Sequence, residues 1–312
     1  MARTHEREVR HRPRLGLLRV AAWSLSGLAF ALLAAALGLI VAGRSTPPPA
    51  PYPDWVAQAV ASLGFLGFPL LGGYIAAAQP WNRYAWVLSA FGLTNSALAF
   101  GVAYTAHELA HPGVLPTLEI VEFFSAISWL ATVSVISFLL LLFPNGGLPS
   151  RRWLPLVWII AVAATVGAFF AVSMPDYSVY SDDPAPSPML LDIAVFTLFG
   201  AFLLSFVSLL LRYRRAGAVE RQQIKWFLYA GLVIVVSMIV AGFLVQLPGV
   251  WDSVLETLPW VGLQIAVGIA VLKYRLYDID VVISKTVVFA GLAAFITGIY
   301  VAIVVGVGSL LG

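Results

Sequence analysis

Residues 20–43 read VAAWSLSGLAFALLAAALGLIVAG, an unbroken apolar stretch whose only hydroxyls are Ser24 and Ser26. At about 1.5 Å of rise per residue, a helix of this length spans the ~30 Å hydrocarbon core of a bilayer. Six arginines precede or open it: Arg3, Arg7, Arg10, Arg12, Arg14 and Arg19. A basic start before an apolar run suggests a secretory signal, but this run exceeds the roughly 7–15 residues of a signal core. It predicts an uncleaved signal anchor. Cleavage at Val41-Ala42-Gly43 would leave the orientation of everything downstream unchanged.

The rest of the chain repeats the pattern. Of 312 residues, 61% are hydrophobic and 11% charged, and the mean hydropathy is +0.92. A water-soluble domain with so few charges would not stay dispersed, so the length is best counted in spans. The sequence predicts an all-α, polytopic transmembrane bundle. A basic segment, 1–16, leads into a membrane domain, 17–312, with about nine spans at 17–43, 55–79, 84–106, 120–143, 154–174, 190–211, 227–247, 258–272 and 287–311. The eighth is short and is expected to sit partly in the interface. Hydrocarbon leaves no open backbone polarity, which requires helices. Cysteine is absent, excluding disulfides and thiolate metal sites. The expected partner is the lipid bilayer of the cell membrane, with no nucleic acid and no cofactor.

Charge fixes the expected orientation. With the N-terminus in the cytoplasm, every Lys and Arg except Arg44 falls on the inner side. That is a strong positive-inside bias. Asp54, Glu108, Glu119, Glu122, Asp176, Asp182, Asp183, Asp192, Asp252 and Glu256 fall at or near the outer face. An odd span count then leaves Gly312 outside, flush with its last span, as if a further span followed.

The span centres hold no ionisable residue to bind an ion or relay a proton, which disfavours a pump or ion-coupled transporter. Their polar residues are modest: Thr94, Asn95, Ser96, Ser134, Ser137 and Gln264. Helix-to-helix hydrogen bonding is the expected role, with a small polar pocket around Asn95 and Gln264 as the alternative. Gly92, Gly101, Gly231, Gly291 and Gly298 suit close packing.

At the outer end of the third span, His107-Glu108-Leu109-Ala110-His111 is a full H-E-x-x-H. On a helix this spacing puts two imidazoles on one face for zinc, with the Glu as base. Glu122 or Glu119 could supply a third ligand. Pro112 and Gly113 stop the helix at once, however, and Val114 and Thr117 stand where a metzincin continuation needs Gly and His. The expectation is an ordinary interfacial segment without metal. A zinc metallohydrolase, or a His pair sensing pH or a metal ion, remains the alternative.

Four inner stretches say more. They are Gln79–Trp86 (QPWNRYAW), Phe143–Trp153 (FPNGGLPSRRW), Arg212–Arg215 (RYRR) running on to Glu220–Trp226 (ERQQIKW), and Lys273–Thr286 (KYRLYDIDVVISKT). Each is a basic, aromatic hinge at headgroup level, where each basic residue gains roughly 1 kcal/mol from anionic lipid. Asp278 and Asp280 are acids within this basic layer, placed to pair with Arg275 and Lys285.

In these stretches the chain resembles the multi-span N-terminal region of actinobacterial-type sensor histidine kinases. The resemblance runs from about residue 79 to the end. It rests on Pro144, Asn145, Gly146, Arg151, Arg152 and Trp153, on Glu220, Arg221, Gln222, Gln223, Lys225 and Trp226, and on the Arg275-Leu276-Tyr277-Asp278-Ile279-Asp280 segment. Pro112-Gly113-Val114-Leu115-Pro116 also matches a family turn. Asn145 and Gly147 depart from it, standing where the family tends to carry Asp and Arg, as does Asn82-Arg83-Tyr84, where the family favours Asn-Pro-Ile. The resemblance implies a sensor and anchoring module of a two-component system. In it, Arg275, Tyr277, Asp278, Asp280 and Lys285 form the junction that transmits a signal. It also implies a homodimer, with a cytoplasmic response regulator reached only through a kinase module outside these residues. The residues alone leave a small-solute transporter or channel as the alternative.

Overall fold

A computed structural model describes residues 2–50, 52–115, 118–172, 189–240 and 250–270. Among these residues the regular elements are helical and no strand occurs. They are α1 (Ala2–Gly43), α2 (Trp55–Gly64), α3 (Gly67–Ala78), α4 (Arg83–Ala110), α5 (Leu118–Leu142), α6 (Leu154–Val172), α7 (Met189–Arg215), α8 (Ala218–Ile239) and α9 (Val250–Gly268). A 3-10 turn at Arg151–Trp153 leads into α6. Five helical stretches among the described residues are long and apolar enough to cross a membrane: Leu15–Gly43, Trp55–Ala78, Arg83–Ala110, Arg151–Ala171 and Met189–Arg215. Lipid contact follows from that composition.

Local chemistry sets the helix ends. The Asp54 carboxylate accepts the Ala57 N–H at 2.8 Å and caps α2, and the Asn82 amide oxygen accepts the Tyr84 N–H at 3.1 Å and caps α4. Each satisfies a donor that the first helical turn leaves without an internal partner. Gly113, with φ of +82°, turns the chain out of α4.

The second predicted span is not one helix. It breaks between α2 and α3 at Phe65-Leu66. Pro69 is the cause: it lacks the N–H that the Phe65 carbonyl would accept, and its ring crowds that carbonyl. Phe68 instead donates to the Phe65 oxygen at 3.2 Å, and Leu66 to Leu63 at 3.2 Å, both as tight turns. Two other expectations also shift. The basic segment 1–16 is helical from Ala2 and continuous with α1, and α9 begins at Val250, well before the predicted short eighth span. The predicted ninth span, 287–311, lies outside the described residues.

Small residues bring the inner helices together. A Cβ on Gly72 would come within 2.5 Å of the Ser89 nitrogen, and one on Gly92 within 2.5 Å of the Pro69 nitrogen, so α3 and α4 cross backbone against backbone. Gly73 likewise admits Ser26 of α1, whose hydroxyl donates to the Pro69 carbonyl at 2.8 Å. This is the packing expected where lipid removes the hydrophobic drive between helices. Gly231 has open space around it and takes no part in such packing. The α2–α3 and α4 spans are 44% buried within the bundle, against 28% for α1 and α6, so the former are interior and the latter face lipid.

The mid-span polar residues correct a prediction. Thr94 and Asn95 donate to Phe91, Ser96 to Gly92, Ser134 to Leu130 and Ser137 to Val133, each on its own helix. Back-bonding to a preceding carbonyl satisfies a hydroxyl without any partner helix. Of that predicted set only Gln264 crosses, donating to the Gly64 carbonyl. Asn95 and Gln264 each donate an amide proton to a backbone carbonyl.

Candidate functional site

The end of the bundle where α4 begins and α5 and α7 finish gathers three of the four stretches singled out in the sequence. Its base is aromatic. Phe143 closes α5, and its ring meets Tyr84 at 5.4 Å and 72° and Phe227 of α8 at 4.5 Å. The Phe143–Pro144 peptide is cis. Gly146 then adopts φ of +70°, and a Cβ there would come within 2.8 Å of the Tyr84 nitrogen. Both the left-handed backbone and the absence of space demand glycine. The 143–147 loop thus lies directly on the first turn of α4.

Arg212 locks this loop. It sits in the last turn of α7, with its side chain 11% exposed. One guanidinium nitrogen donates to the Phe143 carbonyl and another to the Gly147 carbonyl, the latter at 2.6 Å. The fork of a guanidinium suits two fixed carbonyls in a way a lysine cannot. Its Nε lies 3.9 Å from Glu220 Oε1, and Asn145 donates to the same oxygen at 3.3 Å. Glu220 stands in the first turn of α8, where the helix dipole also favours a carboxylate. One arginine therefore joins the α5 loop, the end of α7 and the start of α8.

Next to it, Gln223 donates to the Ala270 carbonyl at 2.7 Å and ties α8 to the end of α9. Arg221 lies over the Tyr213 ring at 5.5 Å, a cation–π contact. Pro144, Asn145, Gly146, Glu220, Arg221 and Gln223 are thus brought together. Gln222, Lys225 and Trp226 face outward on α8, as Arg151 and Arg152 do on their 3-10 turn, while Trp153 is half-buried against the α5–α6–α7 cluster. The 220–226 stretch is the first part of α8, where a hinge was expected. Arg275, Tyr277, Asp278, Asp280 and Lys285 lie outside the described residues.

The sequence places Arg212, Tyr84 and Phe143 in the inner stretches but does not single them out as a hub and its aromatic floor. One signal was present. Ser205, Ser208, Leu209 and Arg212 fall on one helical face, and the first three are buried in the bundle. Arg214 and Arg215 are exposed.

The H-E-x-x-H stretch occupies the opposite end. The His107 and His111 rings stack at 4.8 Å and 26°. Glu108 is buried, and its two oxygens accept the Gly113 N–H at 2.8 Å and the Leu115 N–H at 3.0 Å. Its lone pairs hold the Pro-Gly turn in place of activating a water. His107 packs near Trp55 at 6.5 Å and against Gly43, closing α1 onto α4. Among the described residues no group of three His, Cys, Asp or Glu side chains is placed to hold a metal. The side chains of Glu119 and Glu122 are outside the described set. As a zinc-hydrolase site the motif is unsupported, because its general base is committed to backbone.

No family model, no curated protein and no solved structure matches the chain.

Proposed function

We propose that the chain is the membrane-embedded input and anchoring module of a sensor histidine kinase. It spans the cell membrane about nine times from a cytoplasmic N-terminus and pairs as a homodimer. The observation that carries this reading is convergence: 143–153 and 220–226, two of the stretches on which the resemblance rests, meet with 79–86 around Arg212 although far apart in sequence. A bundle end in which one side chain couples three helices suits relay of a packing change. A stimulus shifts such an equilibrium only by binding two packings unequally. Ala270, held by Gln223, leads directly into the 273–286 junction, through which that change would pass to a kinase module and then to a response regulator.

The test is to read the frame past Gly312 and express the whole product in membrane vesicles with ATP. The expected result is phosphorylation of a downstream histidine, at a level altered by Arg212→Ala. A frame with no downstream phosphoacceptor or nucleotide-binding segment would overturn the proposal.

A small-solute transporter is the second reading, favoured by one observation: discontinuous helices such as α2–α3 line substrate sites in transporters. Here the break is filled by Gln264 rather than open to a solute. Flux of a solute through vesicles holding the purified chain would favour that reading.

A further inference from the structure

At the α2–α3 break a side chain of a distant helix takes the place of a backbone donor inside the apolar part of the bundle. α9 fits the break at two points. Thr257 Cγ2 occupies the space a Cβ on Gly64 would need, and Gln264 Oε1 occupies that of a Cβ on Gly67. The Gln264 amide nitrogen donates to the Gly64 carbonyl. Positions 257 and 264 are seven apart and so share one face of α9. Between them Trp260 lies over Phe65 at 5.3 Å and Phe91 at 6.4 Å. The break, the two glycines and this α9 face are complementary.

We propose that this break is a two-position joint in the membrane, held closed by Gln264 and Thr257 of α9. An ordinary helix break would find its partners in its own turn. This one leaves the terminal carbonyl of α2 to a residue on another helix, so α2 cannot keep that bond unless α9 stays in register. Withdrawing Gln264 strands a carbonyl in an apolar interior unless another donor enters. An intermediate position satisfies neither arrangement, which makes the joint two-state instead of continuously pliable. The lower end of α9 is held by Gln223, next to Glu220 and Arg212. Opening the joint therefore slides or rotates α9 against α8, and the displacement arrives at the Arg212 cluster. The joint goes beyond the kinase reading and stands without it.

The natural chain has no cysteine, so introduced cysteines are unique labels. Ile265 on α9 and Val162 on α6 are both exposed on the bundle surface. Spin labels at Ile265→Cys and Val162→Cys, in the full chain in nanodiscs, report α9 against a helix that does not touch it. The closed joint gives one narrow distance distribution. Gln264→Met keeps the length and removes the donor; the expected result is a second distance population and about tenfold faster exchange of the Leu66 and Phe68 amides, with Ser89–Asn95 of α4 unchanged. Gly64→Ala, which forces out the Thr257 methyl, should give the same second population without touching the amide. Thr257→Ser, which removes that methyl, should restore the single distance in the Gly64→Ala background. A single unchanged distance in both Gln264→Met and Gly64→Ala overturns the joint. So does a second population that Thr257→Ser leaves in place.

Discussion

At the scale of single residues, Arg212 and Glu220 contribute unequally although they form one ion pair. Arg212 is mostly buried and donates to two carbonyls, whereas the Glu220 side chain is 30% exposed. Removing a desolvated donor from buried carbonyls costs more than removing a solvent-screened carboxylate. Arg212→Ala is expected to lower unfolding stability in detergent by about 3 kcal/mol, and Arg212→Lys to recover less than half of it. Glu220→Gln should cost no more than about 1 kcal/mol. Thermal unfolding of the three variants decides it; equal losses for Arg212→Ala and Glu220→Gln would show that the ion pair, not the carbonyl fork, does the holding. At the opposite end, Glu108→Ala is expected to speed exchange of the Gly113 and Leu115 amides, because it removes both their acceptors. Metal content should not change with it. That residue shows how a short motif misleads: the spacing of His107, Glu108 and His111 is legible in sequence, but what Glu108 accepts is set by a turn five to seven residues later.

At the scale of elements, glycines separate what sequence cannot. Gly146 and Gly147 are neighbours in the same loop, yet only Gly146 has a left-handed backbone and a crowded Cβ direction; Gly147 has nothing within 4 Å. Gly146→Ala should cost roughly 1–3 kcal/mol from backbone strain, plus the displacement of the α4 start. Gly147→Ala should be near neutral. Comparable losses from the two in a denaturation series would mean that the loop does not rest on α4. Helix existence was readable from apolar length, and the stop of α4 at Pro112-Gly113 from local chemistry. The α2–α3 break was harder to see. Gly-Phe-Leu-Gly-Phe-Pro at 64–69 is apolar throughout, so hydropathy runs smoothly across it, and only Pro69 marks the missing donor. The serines misled for a related reason. A mid-span hydroxyl reads the same whether it bonds a neighbour or its own helix, and here the nearest carbonyl was its own.

At the scale of the whole molecule, membrane character was legible because it is a sum over many residues and survives local error. Which loops touch was not, since pairing of 143–147 with 83–84, 212 and 220 depends on tertiary packing that no local pattern encodes. The contacts set one sidedness test. The 143–153 and 212–220 stretches share one end of the bundle, and Gly43, Trp55 and the 107–115 turn share the other. A reporter active only in the cytoplasm, fused after Gly147 or after Gly217, is expected to be active in both cases and to be silent after Gly113. Activity after Gly113 together with silence after Gly147 would invert the orientation while leaving the bundle intact.

Serines that return their hydroxyls to their own helices have an electrical consequence. A proton crosses a membrane protein along a row of groups that can each pass one on, and Ser89, Thr94, Ser96, Ser125, Ser134 and Ser137 of α4 and α5 are each closed on a carbonyl about one turn back, which leaves no continuous row through them. The bundle should therefore behave as an insulator. Vesicles carrying the purified chain are expected to hold an imposed potential as long as protein-free vesicles do, and to keep holding it with the joint opened by Gln264→Met.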